Sequence, residues 1–94
     1  MYFEWDQRKD RANQAKHGLS FETALLVFDD PHAISLLDSV VEGEERWQTL
    51  GMAGGIAILL VTHTEWEEDG EVRIRIISAR KATQRERKMY EEAL

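Results

Sequence analysis

From Val72 to Ile77 the chain alternates branched apolar residues with arginines, and after Ser78-Ala79-Arg80-Lys81-Ala82 it reaches Thr83 and Glu86, three residues apart. A period of two belongs to a β-strand: Val72, Ile74 and Ile76 point one way, and Arg73, Arg75 and Ile77 the other. Threonine followed three residues later by glutamate is a capping box, so this strand runs directly into a last helix. A strand with an apolar face and a doubly charged face calls for a sheet that is covered by helix on one side and open on the other.

The preceding segments fit such a sheet. Tyr2 to Trp5 reads as a short strand, and Asp6 is an N-cap for a helix from Gln7 to His17 that Gly18 can end in the left-handed conformation. Ser20 caps a second helix, with Phe21, Ala24, Leu25 and Phe28 at i, i+3, i+4 and i+7, and Asp29-Asp30-Pro31 stops it. Ala33 to Leu37 leads into strands over Glu44 to Met52, Ile56 to Trp66 and Glu71 to Ser78, separated by glycine-containing turns. Short loops between successive strands predict an antiparallel meander. The expected class is therefore α+β: a small antiparallel sheet, two N-terminal helices and one C-terminal helix.

Ninety-four residues support one hydrophobic core, so residues 1–94 are read as a single domain. With no cysteine, disulfide staples, thiolate nucleophiles and zinc-thiolate sites are excluded, which fits a reducing cytosol. No signal-peptide pattern and no apolar run of membrane-spanning length is present, so a cytoplasmic location without membrane contact is expected. The formal charge of −6 opposes nonspecific nucleic-acid binding, but the charges are segregated. Seven of the twelve basic residues fall between Arg73 and Lys88, while Asp29 to Glu45 and Glu65 to Glu71 are acidic. One basic and one acidic face follow, the latter suited to a basic partner protein.

Guanidinium groups fixed on a rigid strand suit an anionic ligand, and in a domain of this kind RNA fits. On Arg73 and Arg75 the same pattern also describes a solvent-exposed sheet face bearing salt bridges. His63 is the side chain best suited to taking a proton from a ribose 2′-hydroxyl, but its facing depends on the hairpin register. A two-residue turn at Asp69-Gly70, or a four-residue loop from Glu67, places it on the Ile74 and Ile76 side; a three-residue loop or a bulge places it with the arginines. Lys16 and His17 occupy the last turn of the first helix, where cations complement the helix dipole without any other role. Arg46, after two glutamates, fits a sheet-surface ion pair. Glu86 and Tyr90 are i, i+4 neighbours; the capping box explains the first, and the second can serve either a core or a site. The three histidines have no ligand spacing, and there is no nucleophile elbow or phosphate-cradling glycine loop, so neither a metal nor a cofactor is expected.

Taken together, Phe3-Glu4-Trp5-Asp6, Asn13, Lys16-His17-Gly18, Ser20-Phe21-Glu22, Phe28-Asp29-Asp30-Pro31, Glu44-Glu45-Arg46, His63-Thr64 and the run Ile74 to Thr83 with Glu86 and Tyr90 resemble the BrnT family, small ribonuclease toxins of bacterial toxin-antitoxin pairs. These landmarks occur in the family's order and span nearly the whole chain. The resemblance implies a RelE-like toxin fold, with active residues on the open face of the sheet. It implies catalytic roles for Arg75, Arg80, His63 and Tyr90, and substrate contacts from Arg46, Arg73, Lys16, His17 and Lys81. It further implies metal-independent cleavage of RNA, growth inhibition, and neutralisation by a BrnA-like antitoxin that covers the basic site and alone contacts operator DNA through its own DNA-binding part. The alternative is a noncatalytic co-repressor subunit that binds the antitoxin, which the acidic balance favours.

Overall fold

Glu42-Gly43 and Asp69-Gly70 take positive φ at both positions, 51° and 78° in the first pair and 52° and 78° in the second. That is the backbone of a type I′ turn, whose twist matches that of the strands it joins. Each is a two-residue hairpin loop, with Val41 opposite Glu44 and Glu68 opposite Glu71. In the computed structural model, which describes residues 1–94, these turns set the register of β2 (Ile34–Val41) on β3 (Glu44–Ala53) and of β4 (Ala57–Glu68) on β5 (Glu71–Lys81). β1 (Tyr2–Trp5) lies parallel to β5, so the sheet order is β1-β5-β4-β3-β2. The expected antiparallel meander holds for β2 to β5, and β1 adds a parallel edge.

Asp6 accepts the Arg8 amide at 2.7 Å and Gly18 ends α1 (Gln7–His17) at φ 69°, as the capping residues predict. The second helix is shorter than its periodicity suggests: one α turn, α2 (Phe21–Ala24), tightens into a 3-10 turn over Leu25–Asp29. The tightening seats Val27 against β3 at Gly51, where an added Cβ would stand 2.8 Å from Val27 Cγ1. β2 runs past the expected lead-in because a bulge between Leu37 and Ser39 absorbs the polar Asp38. β5 likewise continues beyond Ser78, through a register shift opposite Thr62 and His63. Asn13 serves this irregular stretch: its amide donates to Ala79 O at 2.9 Å and to Leu19 O at 2.8 Å, and accepts from Ala79 N at 3.0 Å.

One face of the sheet is covered by α1, α2 and the 3-10 turn, which enclose Phe21, Ala24, Val27, Leu59, Val61, Ile74, Ile76 and Ala79. The capping box forms as expected, with Glu86 N donating to Thr83 and Thr83 N donating to Glu86. It starts α3 (Gln84–Glu92), which crosses to the opposite face and packs Tyr90 with Leu50, Ile58, Leu60 and Ala82. α3 covers only that end. The remainder of this second face is left to the polar residues of β3, β4 and β5.

Candidate active site

Strand alternation and register place a row of side chains on the open face. Ser39 pairs with Arg46, Arg46 with Thr64, Thr64 with Arg75, and Arg75 with Glu4. Directly opposed residues share a face and stand about 5 Å apart, so Arg46 and Arg75 flank Thr64 about 10 Å from each other, two strand spacings. Arginine side chains are long enough to converge on one phosphate over that gap. The next row toward α3 carries Gln48, Thr62 and Ser78, and beyond it Leu60 faces Arg80.

The arginines of this face differ in what holds them. Arg75 Nε lies 3.1 Å from Glu4 Oε2 and its guanidinium stacks over Trp66, 5.1 Å from the ring centroid. Arg73 repeats the arrangement, 3.0 Å from Glu68 and 5.0 Å from the Tyr2 ring. The Arg75 pair is solvent-exposed and the Arg73 pair partly so, and exposed pairs are weak enough to exchange for a phosphate. Arg80 is bound more firmly: its two terminal nitrogens grip Glu86 at 2.7 and 3.0 Å, a bidentate fork. Those hydrogen bonds hold the Glu86 carboxyl down to about 2 and push the Arg80 guanidinium up. Arg46 makes neither an ion pair nor a side-chain hydrogen bond, and leaves its whole fork for a ligand.

The other sequence candidates lie elsewhere. His63 is wholly buried on the helix-covered face, because the two-residue turn at Asp69-Gly70 pairs it with Ile76. The bulge in β5 lies beyond that pair and does not turn it over. Its Nε2 meets Thr49 Oγ1 at 2.6 Å, Thr49 meets Ser35 at 2.7 Å, and the Phe28 ring stands edge-on at 5.0 Å. Burial lowers its pKa to about 4, so the ring is neutral and has no path to a substrate on the arginine side. His63 therefore does not join the open-face row.

Tyr90 does not join it either. Its hydroxyl donates to Asp30 at 2.5 Å, and that bond, with burial and the Asp30 charge, pushes the phenol up to about 12. Burial alone would push the Asp30 carboxyl up, but donors from Met52 N, Tyr90 and His32 N hold it below its ordinary value. Asp30 thus pins the end of the 3-10 turn to β3 and to α3, a structural clasp. Lys16 and His17 end α1, which packs through Asn13 on the covered face. Lys81, opposite Leu59, is exposed at the end of the sheet. Neither group meets Arg75. No group of three histidine, cysteine or acidic side chains is placed to hold a metal ion.

Residue type alone does not single out Thr64, Trp66 or Glu4, although Thr64 and Glu4 stand within family landmarks, and all three lie beside Arg75. Only the cross-strand register brings them there. For Trp66 and Glu4 the legible signal was parity: each occupies an alternate position on its own strand.

Comparison with known proteins agrees with this architecture. The family model for the ribonuclease toxin BrnT of type II toxin-antitoxin systems matches residues 5–86. The crystal structure of the Brucella abortus ribonuclease toxin BrnT, at 1.1 Å, is similar with 27% sequence identity and a TM-score of 0.57, over 89% of this chain and 99% of that one. No curated protein sequence matches the chain.

Proposed function

Since this chain belongs to the BrnT family of ribonuclease toxins of type II toxin-antitoxin systems, we propose that it cleaves RNA on the open face of its sheet, with the scissile phosphate seated between Arg46 and Arg75. The observation that carries this is the Arg46–Thr64–Arg75–Glu4 row, in which one arginine is unpaired and the other is held only by exposed contacts. Arginine forks match phosphate oxygens and stabilise the extra negative charge of a pentacovalent phosphorane without a metal. The ribose 2′-oxygen attacks phosphorus, its proton passes to a base, and the 5′-oxygen leaves with a proton. Glu4 is the base that this reading favours: Glu86 is locked by Arg80, and His63 faces the other side. Arg73 and Tyr2, one row away, supply a second cation and an exposed ring for the neighbouring nucleotide. Arg80 is assigned to holding α3 through Glu86.

The reading includes a RelE-like fold, growth inhibition, a cytoplasmic location and a BrnA-like antitoxin that covers the basic face and alone contacts operator DNA. The decisive experiment is digestion of a long unstructured RNA by the purified chain in EDTA, with analysis of the product ends. Cleavage that yields 2′,3′-cyclic phosphates and 5′-hydroxyls supports the mechanism. Activity that vanishes in EDTA and returns with a divalent ion refutes it. The burial of His63 favours one other reading, a noncatalytic co-repressor subunit, in which the chain binds antitoxin but cuts no RNA under either condition.

A further inference from the structure

Three buried side-chain atoms lack a hydrogen-bond partner: His63 Nδ1, Arg73 Nε and Thr64 Oγ1. The first two each have a carboxylate oxygen nearby, Glu65 at 3.6 Å, just beyond hydrogen-bond reach, and Glu68 at 3.0 Å but poorly aligned, so a small side-chain adjustment would satisfy either. Thr64 has no such neighbour. It is 1% exposed, in the middle of β4, on the open face, with Arg46 and Arg75 directly opposite on the two flanking strands. A buried hydroxyl without a partner opposes folding, and valine would fill the same space in a strand without that cost. A group that folding disfavours, between two anion-seeking side chains, calls for a partner that arrives later.

We propose that the Thr64 hydroxyl is the third donor of the anion seat, binding a nonbridging phosphate oxygen of RNA between the forks of Arg46 and Arg75. This rests on the ribonuclease reading above and adds a binding residue to it. In the free protein Arg75 is held by Glu4 and lies over Trp66, and Thr64 is buried. When the guanidinium leaves Glu4 for a phosphate seated between it and Arg46, the Thr64 hydroxyl donates to the same anion. The seat then offers two charged forks and one short neutral donor at its floor. That geometry fixes the depth of the phosphorus between β3 and β5.

The test compares wild type with Thr64→Val and Thr64→Ser in two assays, titration with inorganic phosphate followed by amide shifts, and cleavage of a single-stranded RNA. Thr64→Val should melt at or above the wild-type temperature, bind phosphate about tenfold more weakly, and lose about tenfold to a hundredfold in kcat/KM, the range of a hydrogen bond to a charged group. Thr64→Ser should recover most of both. A folded Thr64→Val protein with wild-type phosphate affinity and cleavage overturns the proposal, as does a serine variant no better than valine. If wild type binds phosphate at Thr64 and the valine variant does not, but neither cuts RNA, the seat stands and the ribonuclease reading fails. If phosphate does not shift Thr64, Arg46 and Arg75 in wild type, the seat itself is refuted.

Discussion

Changing Glu86 to glutamine separates the two roles of this residue, because the amide oxygen can still accept the Thr83 N–H of the capping box, 2.9 Å away, while the charge that Arg80 grips is gone. A carboxyl brought from 4.5 down to about 2 corresponds to about 3 kcal/mol of folding stability if the whole shift counted. Arg80's side chain is 38% exposed, and solvent screening reduces this to about 1–2 kcal/mol. For a depressed carboxyl, the stabilisation is complete above the unfolded value near 4.5 and is lost as pH falls through about 2. The expected result at pH 7 is a melting temperature lower by roughly 5–12 °C for a domain of this size, and the gap should close between pH 4.5 and 2. Urea unfolding of both proteins across that range measures it. A gap that is absent at pH 7, or that persists unchanged at pH 2, would refute the charge-specific role of the pair. Cleavage per folded molecule should be close to wild type. A loss of rate without loss of stability would instead place Arg80 in the reaction.

Arg46→Ala and Arg75→Ala should each remain folded and lose about a hundredfold or more in cleavage, and lysine at position 75 should rescue poorly because a point charge cannot reproduce the planar fork; wild-type rates in either alanine variant would move the site elsewhere. His63 is held neutral with a pKa of about 4, below its ordinary 6.5, so the unfolded chain binds the extra proton first. Stability should therefore fall as pH drops from 6.5 to 4, and a His63→Gln variant should lack that slope in denaturation experiments. Tyr90→Phe should cost about 1–2 kcal/mol by leaving Asp30 a donor short, with unchanged cleavage by folded protein. Gly51→Ala should destabilise by about 1–3 kcal/mol in thermal melts, because its Cβ meets Val27 Cγ1 at 2.8 Å.

Local chemistry alone determined the elements whose ends and faces depend on nearest neighbours. Asp6 and Gly18 bound the first helix, Thr83 and Glu86 start the last, and the alternation in Val72 to Ile77 separates arginines from core isoleucines. Family landmarks supplied the class of activity and, through the resemblance, the proposal of Arg46 as a substrate contact, while strand alternation alone set Arg75 on a charged face. What tertiary structure decided was register and therefore side. A two-residue turn at Asp69-Gly70 sends His63 under the helices, whereas one more residue in that loop would have turned it toward Arg75. The resemblance implies a catalytic Arg80, but only the fold shows that α3 brings Glu86 against it. Tyr90 meets Asp30 across 60 residues of chain, a contact that no helical periodicity encodes. The row of Arg46, Thr64, Arg75 and Glu4 draws on four strands, and only hydrogen-bonded pairing across the sheet could assemble it.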